Sequence, residues 1–306
     1  MEILIPAILT VITAATPLLY AALGELVAEK SGVLNLGVEG MILLGAVCGF
    51  AAVYLTGSAA AGIFAGLAGG MALSVVFGVL VLGFQASQVA TGLALTIFGI
   101  GLSALLGQEL VGVAYQGLPK ISLPLLSKIP ALGPLLFRHD FLVYGSFAMA
   151  FAVYWFLARS RAGLVLRAVG DSHDAAHAMG YPVVRIRFAA VLFGGGMAGL
   201  AGAYLSLAYS PLWIENMSAG RGWIALALVV FATWRPWRVF IGAYLFGGIT
   251  ILQLHAQVLG VGVPAQVMSM LPYLATIAVL VLISRDRNKI KLNAPACIGK
   301  PFHPAA

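Results

Sequence analysis

A chain of 306 residues that is 61% hydrophobic and only 9% charged has too little polar surface to cover a water-soluble core, for which about 25% charged residues is usual. Its net charge of +7 could suit a nucleic-acid binder, but the basic residues fall in short clusters between apolar runs, the pattern that membrane topology produces. Two cysteines, Cys48 in an apolar run and Cys297 near the C-terminus, give neither a disulfide framework nor a metal-binding spacing.

Taken in chain order, nine apolar segments stand out, at 3–23, 37–56, 59–82, 89–107, 141–158, 187–209, 222–233, 238–255 and 264–284. A full helical crossing needs about 20 residues. The first segment follows Glu2 with no Lys or Arg before it and outruns a signal-peptide core of roughly 7–15 residues, so it reads as a retained span. The seventh is short and reads as a broken or half-buried helix. The expected fold is all-α, a polytopic bundle of about nine spans in one domain over 1–285, with a tail over 286–306. Small residues at four-residue spacing, as in Gly62/Gly66/Gly70, Gly195/Gly199 and Ala198/Gly202, predict close helix–helix approach.

Orientation follows from the Lys/Arg bias. With the N-terminus outside, thirteen basic residues share one side (Lys30, Arg159, Arg161, Arg167, Arg185, Arg187, Arg235, Arg238, Arg285, Arg287, Lys289, Lys291 and Lys300). Four (Lys120, Lys128, Arg138 and Arg221) share the other. The larger set belongs in the cytoplasm, and the C-terminus with it. The loop Gln108–Asp140, with prolines at 119, 124, 130 and 134, then lies outside.

One polar stretch on the cytoplasmic side interrupts the apolar pattern, "GDSHDAAHAMGYP", Gly170 to Pro182. His173 and His177 stand at i and i+4, the spacing of the H-E-x-x-H zinc motif, but Asp174 replaces its Glu and no third ligand is near except His303 in the tail. A docking handle explains more of the residues. Asp171 or Ser172 can cap a helix N-terminus, Asp174 suits the dipole of its first turn, Gly180 suits a left-handed C′ position and Pro182 stops continuation. The result is a helix of about two turns at 171–180 that shows Ala175, Ala176 and Met179 to a partner. A merely solvated loop is the plainer alternative.

The stretch "LRAVGDSHDAAHAMGYPVVRIR" resembles the coupling-helix region of ATP-binding-cassette importer permeases of the ribose, branched-chain amino acid and nucleoside group. "SGVLNLGVEGMILLGA" (31–46) resembles the N-terminal signature of the nucleoside-type members, and "GRGWIALALVVFATWRPWRVFIGAYLFG" (220–247) a later segment of the group. The resemblance covers about residues 10–285. Where sugar-type members carry a glycine-rich loop between the seventh and eighth spans, this chain has "TWRPWR", which favours the nucleoside branch. The resemblance implies a subunit of the bacterial cytoplasmic membrane that works with a second permease, different or identical, with ATPase subunits and with an extracytoplasmic solute-binding protein. No cofactor would be bound directly, and ATP and Mg would sit on the partner ATPase. The coupling-helix contacts would be Asp171, Asp174, Ala175, Ala176, Met179 and Gly180. In agreement, the chain has no G-x-x-x-x-G-K-[ST] phosphate loop and so no ATPase site of that kind. It reads as a transport subunit and not an enzyme.

Polar groups within spans are costly and usually face the bundle interior or a watery path. The candidate path residues are Asn35, Glu39, Gln85, Gln88, Phe98 and Trp223, with Thr91, Thr96, Trp213, Gln253 and His255 as further possibilities. Glu39 reads as a helix-terminus cap or as a latch paired with Lys30. A path without fixed strong charge suits a neutral hydrogen-bonding solute such as a nucleoside or sugar better than an ion or acidic metabolite, and the resemblance implies nucleosides before simple sugars or branched-chain amino acids. Two rivals are a secondary transporter working alone, which calls for paired ionisable residues at mid-membrane, and an intramembrane metalloenzyme using His173 and His177.

Overall fold

The computed structural model describes residues 4–122, 138–258, 264–284 and 293–303. Lys128, Arg285, Arg287, Lys289 and Lys291 of the charge comparison, and the loop prolines at 124, 130 and 134, lie outside the described residues. The elements are α1 (Leu4–Lys30), α2 (Val38–Thr56), α3 (Ala59–Gly78) with a π turn at Val79–Gly83, and α4 (Gln88–Gly107). A short antiparallel ribbon, β1 (Lys120–Ser122) with β2 (Arg138–Asp140), sets Lys120 opposite Asp140. Next come α5 (Phe141–Arg159), α6 (Arg161–Asp171), α7 (His173–Ala178) and α8 (Val183–Tyr204), which ends in a second π turn at Leu205–Tyr209. The described chain closes with α9 (Arg221–Phe231), α10 (Pro236–Val258), α11 (Ala265–Ser269) and α12 (Leu271–Ser284).

Seven of these helices are long and apolar enough to cross a membrane. The other two predicted spans are built differently. The seventh holds only the 11 residues of α9. The ninth divides at Met270 into α11 and α12, with Pro272 in the first turn of α12, where its missing N–H leaves no gap.

Helix starts follow side-chain chemistry. Ser58, Ser87, Asp140, Ser160 and Ser172 each accept a hydrogen bond from a backbone N–H in the first turn of α3, α4, α5, α6 and α7, which satisfies donors that the helix cannot. The predicted stop of the first span at Leu23 is corrected: α1 continues to Lys30 and buries Glu25 and Glu29. Both carboxylates find donors, Glu25 Oε1 the Asn35 N–H at 3.0 Å and Glu29 the Trp234 indole, so the helix need not break to expose them.

The core is α1, α2, α3 and α8. Glycines let these backbones touch: a methyl on Gly202 would overlap the Ile42 carbonyl, and one on Gly199 the Gly66 carbonyl. The predicted small-residue spacing therefore works through van der Waals contact between backbones. Two faces of the bundle can be told apart. One gathers the end of α1 with Gly170, Arg187, Arg235 and the segment 293–303. On the other, the start of α1, the end of α10 and residues 116–120 surround a cavity of about 400 Å³.

Candidate functional site

The short helix α7 stands on the first face. Ser172 caps it, its Oγ accepting from Ala175 N at 3.3 Å. At the other end Gly180 has φ +85°, Gly180 N donates to His177 O at 2.8 Å and Tyr181 N to Ala176 O at 3.1 Å. That pair of bonds is a Schellman closure, and it needs the left-handed backbone glycine supplies. With both ends tied, six residues hold a helical shape that a free peptide of this length would not keep.

The faces of α7 are unequal. Asp174, Ala175, Met179 and Gly180 are exposed, Met179 at 76%. Asp171, the last residue of α6, is exposed as well. Ala176, expected among the outward residues, is instead buried against Val169, Val183 and Phe302. The outward surface is therefore Ala175 and Met179, extended by the half-exposed Tyr181 and Val184.

Both histidines of "HDAAH" meet an aromatic ring. His173 and His177 lie 5.3 and 5.4 Å, between ring centroids, from Phe302, and His173 Nδ1 is 3.0 Å from Asp174 Oδ1. Among the described residues no three metal-ligating side chains come together.

Phe302 belongs to a part of the tail that sequence reading left as a plain cytoplasmic end. Residues 293–303 run across the first face and are bound along their length. Lys30 Nζ donates to Asn293 O at 2.7 Å, Cys297 N to Gly170 O at 2.9 Å and Gly299 N to Gly32 O at 3.2 Å. Arg187 Nη1 donates to Lys300 O at 3.2 Å and Gln85 Nε2 to Phe302 O at 3.1 Å. Arg187 is fully buried and also donates through Nε to Ser31 O at 3.1 Å. Gly170 and Gly32 sit where these strands cross, and a methyl on Gly170 would overlap the Lys30 carbonyl.

The second candidate region is the non-helical connector 31–37 between α1 and α2, which is almost wholly buried. Backbone this deep must be satisfied by protein groups. Gln88 Oε1 accepts from Leu34 N at 2.8 Å, Asn35 Oδ1 from Gly37 N at 2.9 Å, and Thr96 Oγ1 donates to Leu36 O at 2.9 Å. Because Gly40 packs on Leu95 and Thr96, partway along α4, α2 begins inside the bundle and not at its face.

Glu39 completes this region. Its Oε1 accepts from Ser218 Oγ at 2.5 Å and Gly220 N at 2.8 Å, and its Oε2 from Gly222 N at 2.5 Å. The latch with Lys30 is thereby corrected, since Lys30 is bound to the tail. The cap reading stands in altered form: Glu39 caps α9, a different helix, whose N-terminus starts at the same depth. A carboxylate at the positive end of a half-helix is electrostatically favourable. The approach to α9 uses left-handed backbone at Asn216, Ala219 and Gly220, a conformation that Asn and Gly adopt readily but that is costly for Ala219, which lies between the Glu39 bonds to Ser218 and Gly220.

Of the six path candidates, the structure brings Asn35, Glu39 and Gln88 together around the connector, all buried and bonded to backbone. Gln85 is engaged by the tail. Phe98 and Trp223 point outward from α4 and α9 at 55% and 36% exposure. Sequence reading missed Trp234 and Phe302, and it counted Arg187 only among the basic residues of the cytoplasmic side, whereas the structure buries it fully. It also missed the cavity on the opposite face, lined by Thr10, Thr13, Gln116, Lys120, Asp140 and Tyr209 among others. Asp140 is largely buried there, and burial pushes its carboxyl above the usual range although the N–H groups of Val143 and Leu142 oppose the shift.

Comparison with known proteins adds the remaining evidence. Residues 7–280 match the family model described as the permease component of branched-chain amino acid transport systems. A putative glucose ABC transporter permease protein of Haloferax volcanii is 42% identical over 95% of both chains. The nucleoside ABC transporter permease protein of Lactococcus lactis is 31% identical over 88% of this chain and 89% of its own. A guanosine ABC transporter permease protein of Bacillus subtilis is 29% identical over 99% and 97%.

Proposed function

The chain belongs to the permease-component family of branched-chain amino acid transport systems, and from that premise we propose that it is half of the membrane path of an ATP-driven importer whose motor is a separate subunit. It is a multi-pass protein of the cell membrane, and the Lys/Arg asymmetry supports placing the α7 face in the cytoplasm and the cavity face outside. A second permease, ATPase subunits and an extracytoplasmic binding protein complete the assembly in this reading. ATP and Mg are bound by the ATPase.

The observation that carries the reading is α7 itself. It is a peg tied at both ends that presents Ala175 and Met179 outward while its inner face is fixed to α6 and α8. Force applied to such an element moves what it is packed on instead of deforming it. ATP-driven closure of the motor would push the peg, and α8, which continues from the peg through the core, would carry the displacement. The connector 31–37 and the half-helix α9 are where helical continuity is already interrupted, so the change of access is assigned to the region around Glu39.

For the solute we propose a neutral, hydroxyl-rich molecule received at the cavity of about 400 Å³, whose wall mixes Thr10, Thr13, Gln116 and Tyr209 with apolar side chains. The 42% identity to a putative glucose permease supports a hexose. Two relatives named for nucleosides and guanosine keep the nucleoside reading, which "TWRPWR" and the stretch 31–46 had favoured. Uptake of labelled glucose in cells, competed in turn by unlabelled guanosine and leucine, decides among them. The coupling role is tested by Met179→Asp in the assembled transporter. Solute uptake is expected to fall by about tenfold or more, as for loss of a central interface anchor, with the amount of inserted protein unchanged. Undiminished uptake would sink the assignment of α7 as the contact.

A further inference from the structure

The tail segment 293–303 is bound to every element that meets at the peg, and nothing in the transport scheme has yet used it. Its hydrogen bonds reach the end of α1 through Lys30 and Gly32, the end of α6 through Gly170, the start of α8 through Arg187 and the turn before α4 through Gln85. Cys297 Sγ points at Asp171 O, 3.4 Å away at the α6–α7 junction. At its far end Phe302, only 8% exposed, fills the space beneath α7 between the rings of His173 and His177 and against Val169, Ala176 and Val183.

We propose that this segment is a clasp that fixes the coupling helix to the membrane bundle, with Phe302 as its positioning residue. Without the tail, little would hold α7. Its inner face offers Ala176 and His173 alone, too little apolar surface to anchor six residues by burial. Phe302 supplies the missing contact, and Arg187 and Gln85 hold the carbonyls of Lys300 and Phe302 so that the ring cannot drift. Arg187 is itself the fifth residue of α8. The clasp thus joins the peg to α8 by a second route beside the chain turn Gly180–Pro182. Without it the peg would yield under the motor's push, and hydrolysis would run without transport. This inference rests on the functional reading above only for its last step; the clasp itself is a property of the chain alone.

Two measurements separate these levels. In the full chain carrying Cys48→Ala, Cys297 is the sole thiol, and it is buried when the tail is docked. Maleimide labelling of Cys297 in native membranes is expected to be slow, and to quicken by about tenfold or more with Phe302→Ala as local opening becomes frequent. Amide exchange over 173–181 should quicken in parallel. Phe302→Tyr, which keeps the ring, should restore both. Equal labelling of Cys297 in Phe302→Ala and its parent would overturn the clasp. In the assembled transporter, Phe302→Ala is expected to keep ATP hydrolysis while uptake falls at least about fivefold, with Phe302→Tyr again restoring it. A freed tail with uptake and hydrolysis still coupled would overturn the positioning role. Failure of the wild-type chain to assemble with any ATPase would strike the functional reading instead, leaving the labelling result to decide the clasp.

Discussion

At the scale of single residues, Glu39 concentrates the chemistry of the membrane interior. Three donors converge on it from Ser218, Gly220 and Gly222, and two of them are backbone N–H groups. Glu39→Ala leaves those donors buried and unpaired, at about 1–3 kcal/mol each, so the α9 approach should loosen and the detergent-solubilised protein should lose several degrees of Tm. Glu39→Gln keeps an oxygen acceptor but gives up the charge, and should fall between the two. A thermal shift series of the three proteins checks the order; Glu39→Ala as stable as the parent would show that the cap is dispensable. From the sequence, Glu39 was legible as a cap because an acidic residue opens the "VEGMILLG" run. Which helix it caps was not legible, because the partner lies about 180 residues further on. The same limit applies to Arg187: its charge within an apolar segment could be seen, but its acceptors are carbonyls of residues 31 and 300, which carry no sequence signature.

At the scale of elements, helix ends were more readable than helix depths. Ser172, Gly180 and Pro182 gave the bounds of α7 to within two residues, since capping chemistry is local. The inward turn of Ala176 was not readable, because on so short a helix the buried side is chosen by what lies beneath, here a tail ring from 126 residues away. The extension of α1 to Lys30 failed to show for a related reason: Glu25 and Glu29 look like a loop until their donors from Asn35 and Trp234 are known. "TWRPWR" forms a turn with left-handed backbone at Thr233 and Trp234, the conformation that would make glycine common at such a place, held here by the Trp234–Glu29 and Arg238–Thr233 bonds. Asp140 illustrates a cap with a cost. It starts α5 through Leu142 N and Val143 N, yet burial raises its carboxyl pKa above the ordinary value. A raised folded pKa means that the folded state holds the proton more tightly, so the contribution to stability is present at low pH and is lost as pH rises through the folded value. Asp140→Asn, which keeps the acceptor and removes the charge, should therefore raise stability relative to the parent at pH 8 more than at pH 4. Equal differences at the two pH values would contradict the burial argument.

At the scale of the whole molecule, the membrane class and the order of the spans were written in hydropathy, and the seven long helices agree with it closely. Hydropathy carries interruption only in part: the shortness of the seventh segment marked α9 as a broken or half-buried helix, but the depth of the connector and the break at Met270 did not show. The connector 31–37 holds Ser31, Asn35 and two glycines and so reads as an exposed loop, while the break at Met270 lies within the apolar segment 264–284; where their backbone bonds go is not written in composition. These interruptions, flanked by a glycine-packed core of α1, α2, α3 and α8, give the bundle a rigid body with a few places to bend. The short helix α7 and the tail segment stand on one face and the cavity on the other, the arrangement that the proposed transmission from a motor to a solute path calls for. In the proposed function this chain moves solute only when another subunit drives it. Vesicles holding the chain alone, and vesicles holding it with its partner permease, ATPase and binding protein, should be compared for accumulation of the labelled solute identified by the uptake assay. Accumulation is expected with ATP in the complete set and in no vesicle holding the chain alone, with or without an ion gradient; accumulation by the chain alone would show that it needs no motor.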